Sequence, residues 1–267
     1  MDTHPLPVVF LHGIRISGTM WRPVMEIVGE RHPVAAPDMP GHGRRRGERF
    51  TMETAVDAVA EAIDALGGRA LVVGLSMGGY LGIATAGRHP ERVAGLVAMG
   101  CTMRPGGLLG DAYRMGGRLA ARDPRRADRV SERVFRRVLP GPVGEAVVAG
   151  GLASEVMPQV IEAISASRPL RSLASYEGPV WLVNGERDAF RRHEAEFLRA
   201  CRDGRLTLLP RRGHVTTLVA TGALARLVLD AALVAGSGHR RMERPGKSDS
   251  SVSDMGLAQG CQRKSGY

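Results

Sequence analysis

Six short runs of Val, Leu and Ala punctuate the chain, and long stretches of a different periodicity separate them. The runs are LPVVFLHG (6–13), HPVAAPD (32–38), RALVVGLS (69–76), VAGLVAMG (93–100), GPVWLVNG (178–185) and RLTLLP (205–210). A strand with one wet face alternates apolar and polar residues, because successive side chains point to opposite sides. Most of these runs do not alternate, which describes strands covered on both faces, as in a parallel sheet. The stretches between them place apolar residues three and four apart, the spacing of one helix face. Examples are TMWRPVMEIVGE (19–30), TMETAVDAVAEAIDAL (51–66), HEAEFLRAC (193–201) and VTTLVATGALARLVLDAALVA (215–235). Alternating strand and helix predicts an α/β fold: a mostly parallel sheet of about six strands, flanked by helices and joined by right-handed crossovers.

One segment interrupts the alternation. Residues 103–175 hold no strand pattern but several helical stretches broken by PGG, DP, PGP, GG and RP. An all-helical insertion between two parallel strands lies at their carboxyl ends, where it can roof a pocket as a lid. This segment carries twelve arginines against seven acidic residues, which is either a solvated helical face or an attraction for an anionic substrate. The expected organisation is a core of residues 1–102 and 176–235, a lid over 103–175, and a disordered tail over 236–267. In that tail apolar periodicity gives way to Ser, Gly and charge.

At 267 residues the chain can bury a core without staples. Its cysteines, Cys101, Cys201 and Cys261, are far apart and show no metal-ligand spacing, so neither a disulfide framework nor a metal site is expected. The start, MDTHPLPVVFLHG, is acidic and has only a short apolar run, unlike a signal peptide, and no stretch reaches the roughly 20 apolar residues of a membrane span. The expectation is a soluble cytoplasmic protein with no membrane partner and no cofactor. Its formal charge of +10 comes almost wholly from arginine, the lysines being Lys247 and Lys264. No helix-turn-helix, zinc finger or aromatic-basic motif accompanies that charge, so no nucleic-acid partner is expected.

Against this frame the stretch GLSMGG (74–79) stands out, because it lies where a buried strand gives way to a helix. Ser76 is then either a turn serine or a nucleophile on a sharp elbow, flanked by Gly74 and Gly78 where side chains would collide with crossing backbone. The first N–H groups of the following helix favour negative charge beside it. A serine hydroxyl needs a base within reach and a third group to orient that base. Of the eight histidines, His214 follows the last strand and precedes the final helix, which puts it on the same sheet edge as Ser76. Asp188, in NGERD after the fifth strand, also falls on that edge, although it could instead cap the next helix. The order Ser76, Asp188, His214 is the one this architecture uses.

These features together resemble the α/β-hydrolase fold superfamily, in its serine-nucleophile esterase and thioesterase-like branch. The resemblance runs from about residue 7 to 235. It rests on FLHG with SGTMW (10–13, 17–21), PDMPGHGRR (37–45), GLSMGG (74–79), NGERD (184–188) and RRGH (211–214). It implies an oxyanion hole from the backbone amides of Ile14 and Met77, a structural His12 beneath that turn, and an Asp38 that organises its own turn. Many relatives carry an antiparallel hairpin before the first of these strands. Only about six residues precede it here, so a reduced, six-stranded sheet is expected. Trp21 is expected in the core or the pocket wall, and Cys101 in the core. The implied activity is hydrolysis of a small-molecule ester or thioester, anionic or carrier-linked in one reading, through an acyl-enzyme. Lyase, cyclase or acyl-transfer chemistry on the same scaffold is the alternative, and a non-catalytic ligand receptor is a more distant one.

Overall fold

The structure, a computed structural model, describes residues 5–242. Its centre is a six-stranded sheet in the order β2-β1-β3-β4-β5-β6, with every neighbouring pair parallel. The strands are β1 (Val8–Leu11), β2 (Val34–Ala35), β3 (Ala70–Leu75), β4 (Val93–Met99), β5 (Pro179–Gly185) and β6 (Asp203–Leu209). The α/β class and the reduced sheet therefore hold. The strand expected over 32–38 shrinks to two residues because prolines 33 and 37 flank it and cannot donate to the ladder.

Among the described residues ten α-helices surround this sheet: α1 (Arg22–Val28), α2 (Met52–Asp64), α3 (Met77–Arg88), α4 (Gly107–Arg122), α5 (Pro124–Val138), α6 (Gly141–Val148), α7 (Met157–Ala166), α8 (Pro169–Ser175), α9 (Glu194–Ala200) and α10 (Thr221–Met242). Alternate residues of each central strand feed separate cores. Val8, Phe10, Val73 and Val97 pack with α1, α6 and α10, whereas Val9, Leu11, Val72 and Leu96 pack with α2, α3 and α8. Both faces are dry, which is why the strand sequences do not alternate. Each such side chain contributes about 1.5–3 kcal/mol by leaving water. Trp21 is fully buried against Phe10, and Cys101 is fully buried too.

Residues between β4 and β5 are helical throughout their regular elements, α4 to α8, as the sequence predicts. The division of the chain is less simple than a core and a separate lid. Helix α8 lies against α3 and α9 in the core layer, with Leu173 buried beneath the sheet and Gly87 of α3 so close to Ser172 that a Cβ there would lie 2.7 Å from it. Helix α6 sends Val143 and Val147 into the opposite core. Helix α10 runs to Met242, across the start of the segment expected as a tail at 236–267. The rest of that segment lies outside the described residues. Among the described residues no helix is long and apolar enough to cross a membrane.

Candidate active site

Strand β3 ends at Leu75 and α3 starts at Met77, so one residue turns the chain. Ser76 does this with φ 58° and ψ −116°, a conformation that L-residues rarely hold and that costs about 1–3 kcal/mol. The surroundings enforce it. Its amide donates to the Met99 carbonyl at 2.8 Å, and its carbonyl accepts from the Tyr80 amide at 3.1 Å. A Cβ on Gly74 would lie 2.2 Å from the Gly78 carbonyl oxygen, and one on Gly78 2.2 Å from that of Leu11. Only glycines let the chain fold this tightly, and the hydroxyl of residue 76 is left at the rim above the sheet.

Loops at the carboxyl ends of β5 and β6 bring the next two groups. His214 Nδ1 donates to Asp188 Oδ2 at 2.9 Å, and the aspartate side chain is wholly buried. Its other oxygen, Oδ1, accepts from the Phe190 amide at 2.8 Å. Asp188 is therefore no helix cap; α9 starts later, with His193 in the cap position. With Nδ1 committed to the carboxylate, Nε2 of His214 is the ring's free basic nitrogen. Phe190 packs on the imidazole with ring centroids 4.5 Å apart, which restricts its rotation.

Gly100, the residue after β4, makes room for the pair. Its φ is +57°, its amide donates to the Val183 carbonyl, and a Cβ there would lie 3.0–3.1 Å from both His214 and Asp188. Nothing in the sequence singles out Gly100 or Tyr113. Asp188 followed two residues later by an aromatic was the one local signal for Phe190.

The turn after β1 carries Ile14. Beneath it, fully buried His12 uses Nδ1 to donate to the Gly13 carbonyl (2.8 Å) and Nε2 to accept from the Met39 amide (3.0 Å). These bonds define a neutral ring, and burial pushes its pKa down. Asp38 accepts from the Gly18 amide (2.9 Å) and the Arg44 amide (2.9 Å); burial opposes its ionisation, but these bonds outweigh it and hold the carboxyl below its ordinary range. Both residues brace loops. Neither lines the cavities at Ser76. Among the described residues the Ile14 and Met77 amides have no hydrogen-bond acceptor.

Two cavities meet at Ser76 and Ile14. The smaller, about 60 Å³, is apolar and includes Met77, Tyr80, Ile161 and Phe190 in its wall. The larger, about 260 Å³, has His214, Arg15, Tyr113 and Met157 around it. Ser76 and His214 thus open into one chamber. Insertion helices α4 and α7 supply Tyr113 and Met157, so residues from the helical segment close over the rim. Among the described residues no cluster of His, Cys, Asp and Glu is placed to hold a metal ion.

The fold and this rim define an α/β-hydrolase type of protein. The chain belongs to the Alpha/beta hydrolase family, whose profile matches residues 8–247. Among individual relatives, a protein named as a carbamate hydrolase in Caulobacter vibrioides is 37% identical over 102 residues, 37% of this chain and 38% of its own length. The chain therefore spans well under half of that relative. A pimeloyl-[acyl-carrier protein] methyl ester esterase of Neisseria meningitidis is 27% identical over 240 residues, 84% of this chain and 92% of that protein. The solved enol-lactonase of Burkholderia xenovorans superposes with a TM-score of 0.71 at 20% identity, covering 87% of this chain and 94% of that one. At that identity the likeness speaks for the fold alone.

Proposed function

We propose that the protein is a serine hydrolase that cleaves an ester or thioester through an acyl-enzyme. The observation that carries this reading is the buried Asp188 bonded to His214 at 2.9 Å, with His214 and the strained Ser76 opening into the same cavity. His214 Nε2 takes the Ser76 proton as the hydroxyl oxygen attacks the substrate carbonyl. The Ile14 and Met77 amides hold the resulting oxyanion. The imidazolium, stabilised by Asp188, returns its proton to the leaving alcohol or thiol as the C–O or C–S bond breaks. A water activated by the same nitrogen attacks the acyl-enzyme, and the acid departs as Ser76 recovers its proton. Hydrolase names among the family relatives support the reaction class.

Two measurements test the reading. A fluorophosphonate probe labels the native protein and not Ser76→Ala. Turnover of p-nitrophenyl butanoate falls to the background rate in the same variant. Undiminished turnover by Ser76→Ala would remove the nucleophile from the scheme.

A further inference from the structure

Arg15 follows the oxyanion residue Ile14 and is the cation in the wall of the larger cavity, beside Ser76 and His214. Its backbone has φ +69°, in the left-handed region where glycine is the economical residue, and its carbonyl accepts from the Ala153 amide at 2.8 Å, which fixes the turn against the helical insertion. Arginines on the surface find carboxylates readily: Arg92 meets Asp64 at 2.9 Å, and Arg191 meets Glu194 at 2.5 Å. Arg15 is more enclosed than either, yet among the described residues no carboxylate lies within ion-pair distance. Its one side-chain partner there is the Met157 thioether, 3.8 Å from Nη1. The carboxylate whose charge it feels, Asp128, is already held by Arg46 at 3.3 Å and by the Ser154 amide at 3.1 Å.

The cavity wall contains neither Asp nor Glu. Asp188 sits behind the His214 ring with its side chain fully buried, so it does not neutralise the chamber directly. Tyr113 faces the same space and feels the charge of Arg15; burial pushes its pKa up, so it stays a neutral O–H donor. A half-enclosed guanidinium without a counter-charge is costly, and its planar fork matches a carboxylate.

We propose that Arg15, with the Tyr113 hydroxyl, anchors a carboxylate carried by the substrate in the larger cavity. This rests on the serine-hydrolase reading above and narrows its substrate class to esters or thioesters that bear an acid group near the scissile bond. The anchor would also align the scissile carbonyl, since Arg15 is bonded directly to the residue whose amide receives the oxyanion.

The test uses isosteric pairs. On the acyl side the pair is p-nitrophenyl hemiglutarate and neutral p-nitrophenyl 5-methylhexanoate; on the alcohol side it is carboxymethyl butanoate and isobutyl butanoate. Arg15→Gly suits the left-handed backbone, so it removes the guanidinium without forcing the turn, and an unchanged or raised Tm verifies this. In Arg15→Gly, kcat/KM should fall roughly 10- to 100-fold for the acidic member of at least one pair, as for loss of hydrogen bonds to a charged partner. The neutral member should fall by a clearly smaller factor, so that the preference within the pair drops, and Arg15→Lys should retain part of that preference. Equal loss for both members of each pair, or no loss, would overturn the anchor. A direct binding readout runs in parallel. Glutarate should raise the Tm of Ser76→Ala, and adding Arg15→Gly should abolish that rise; a rise that persists would count against the anchor. Failure of the hydrolase reading looks different, because Ser76→Ala would then turn over every ester as well as the native protein does.

Discussion

Gly100→Ala isolates how tightly the Asp188–His214 pair is seated. The new methyl would stand 3.0 Å from His214 Cε1, 3.1 Å from His214 Nδ1 and 3.1 Å from Asp188 Oδ2. Ordinary contact begins near 3.4 Å, so the ring and carboxylate must retreat by about 0.3–0.4 Å. Backbone movement cannot relieve this cheaply, because the Gly100 amide is bonded to Val183 at 3.0 Å within the sheet. A misplacement of 1 Å costs about 100-fold in rate, so this smaller one predicts a loss of roughly 5- to 100-fold in kcat/KM, the upper figure applying if the Asp–His bond opens. The backbone adds a second effect. Alanine at φ +57° costs about 1–2 kcal/mol, which lowers Tm by roughly 2–8 °C in a chain of this size. Gly68→Ala, with φ +84° and nothing within 4 Å of its new methyl, carries the same backbone strain away from the site and serves as the control. Esterase kinetics and thermal melts on both variants separate the two effects. If Gly100→Ala melts like Gly68→Ala yet keeps native kcat/KM, the methyl does not disturb the pair and the seating argument fails.

Further expectations concern groups around this pair. Asp188→Asn preserves shape but loses the charge that stabilises the imidazolium, and should lower kcat by about 1,000- to 10,000-fold; a loss under tenfold would remove Asp188 from the chemistry. Burial, reinforced by neighbouring His12, drives the His42 imidazole down to about 3 from 6.5, so between those values the unfolded chain binds a proton that the folded chain refuses. Stability from this site is complete above about pH 6.5 and is lost as pH falls toward 3. The fall in Tm from pH 7 to pH 4.5 should therefore be shallower in His42→Phe, and an identical slope would contradict the assignment. Burial also raises the Cys101 thiol, and that of half-buried Cys201 to about 11. Peptide mass spectrometry should find both unalkylated after brief iodoacetamide treatment at pH 8, whereas rapid labelling of Cys101 would show that the strand end beside the site opens readily.

The parts that were legible from the sequence share a physical cause. Strands buried on both faces must be apolar at every position, and a parallel sheet puts the carboxyl ends of all its strands along one edge, so residues following β3, β5 and β6 fall on a common rim before any distance is known. The turn at residue 76 announces itself through glycines because a Cβ at Gly74 or Gly78 would stand 2.2 Å from a crossing carbonyl oxygen. Gly100 announced nothing, since its need for a bare Cα comes from side chains 88 and 114 positions later, a contact that no local pattern encodes. Helix α8 reads as part of the insertion for the same reason: its sequence resembles its neighbours', and buried Leu173 together with the close approach of Gly87 and Ser172 places it in the core layer. Arg15 is the sharpest case. A total of 37 basic against 27 acidic residues gives the chain more arginine than its carboxylates can pair, and composition alone does not tell one arginine from another. What distinguishes one of them is the left-handed bend at φ +69° and a cavity wall without a carboxylate. Selectivity in such a site is set by a missing partner, and a missing partner is a property of three-dimensional neighbours rather than of composition.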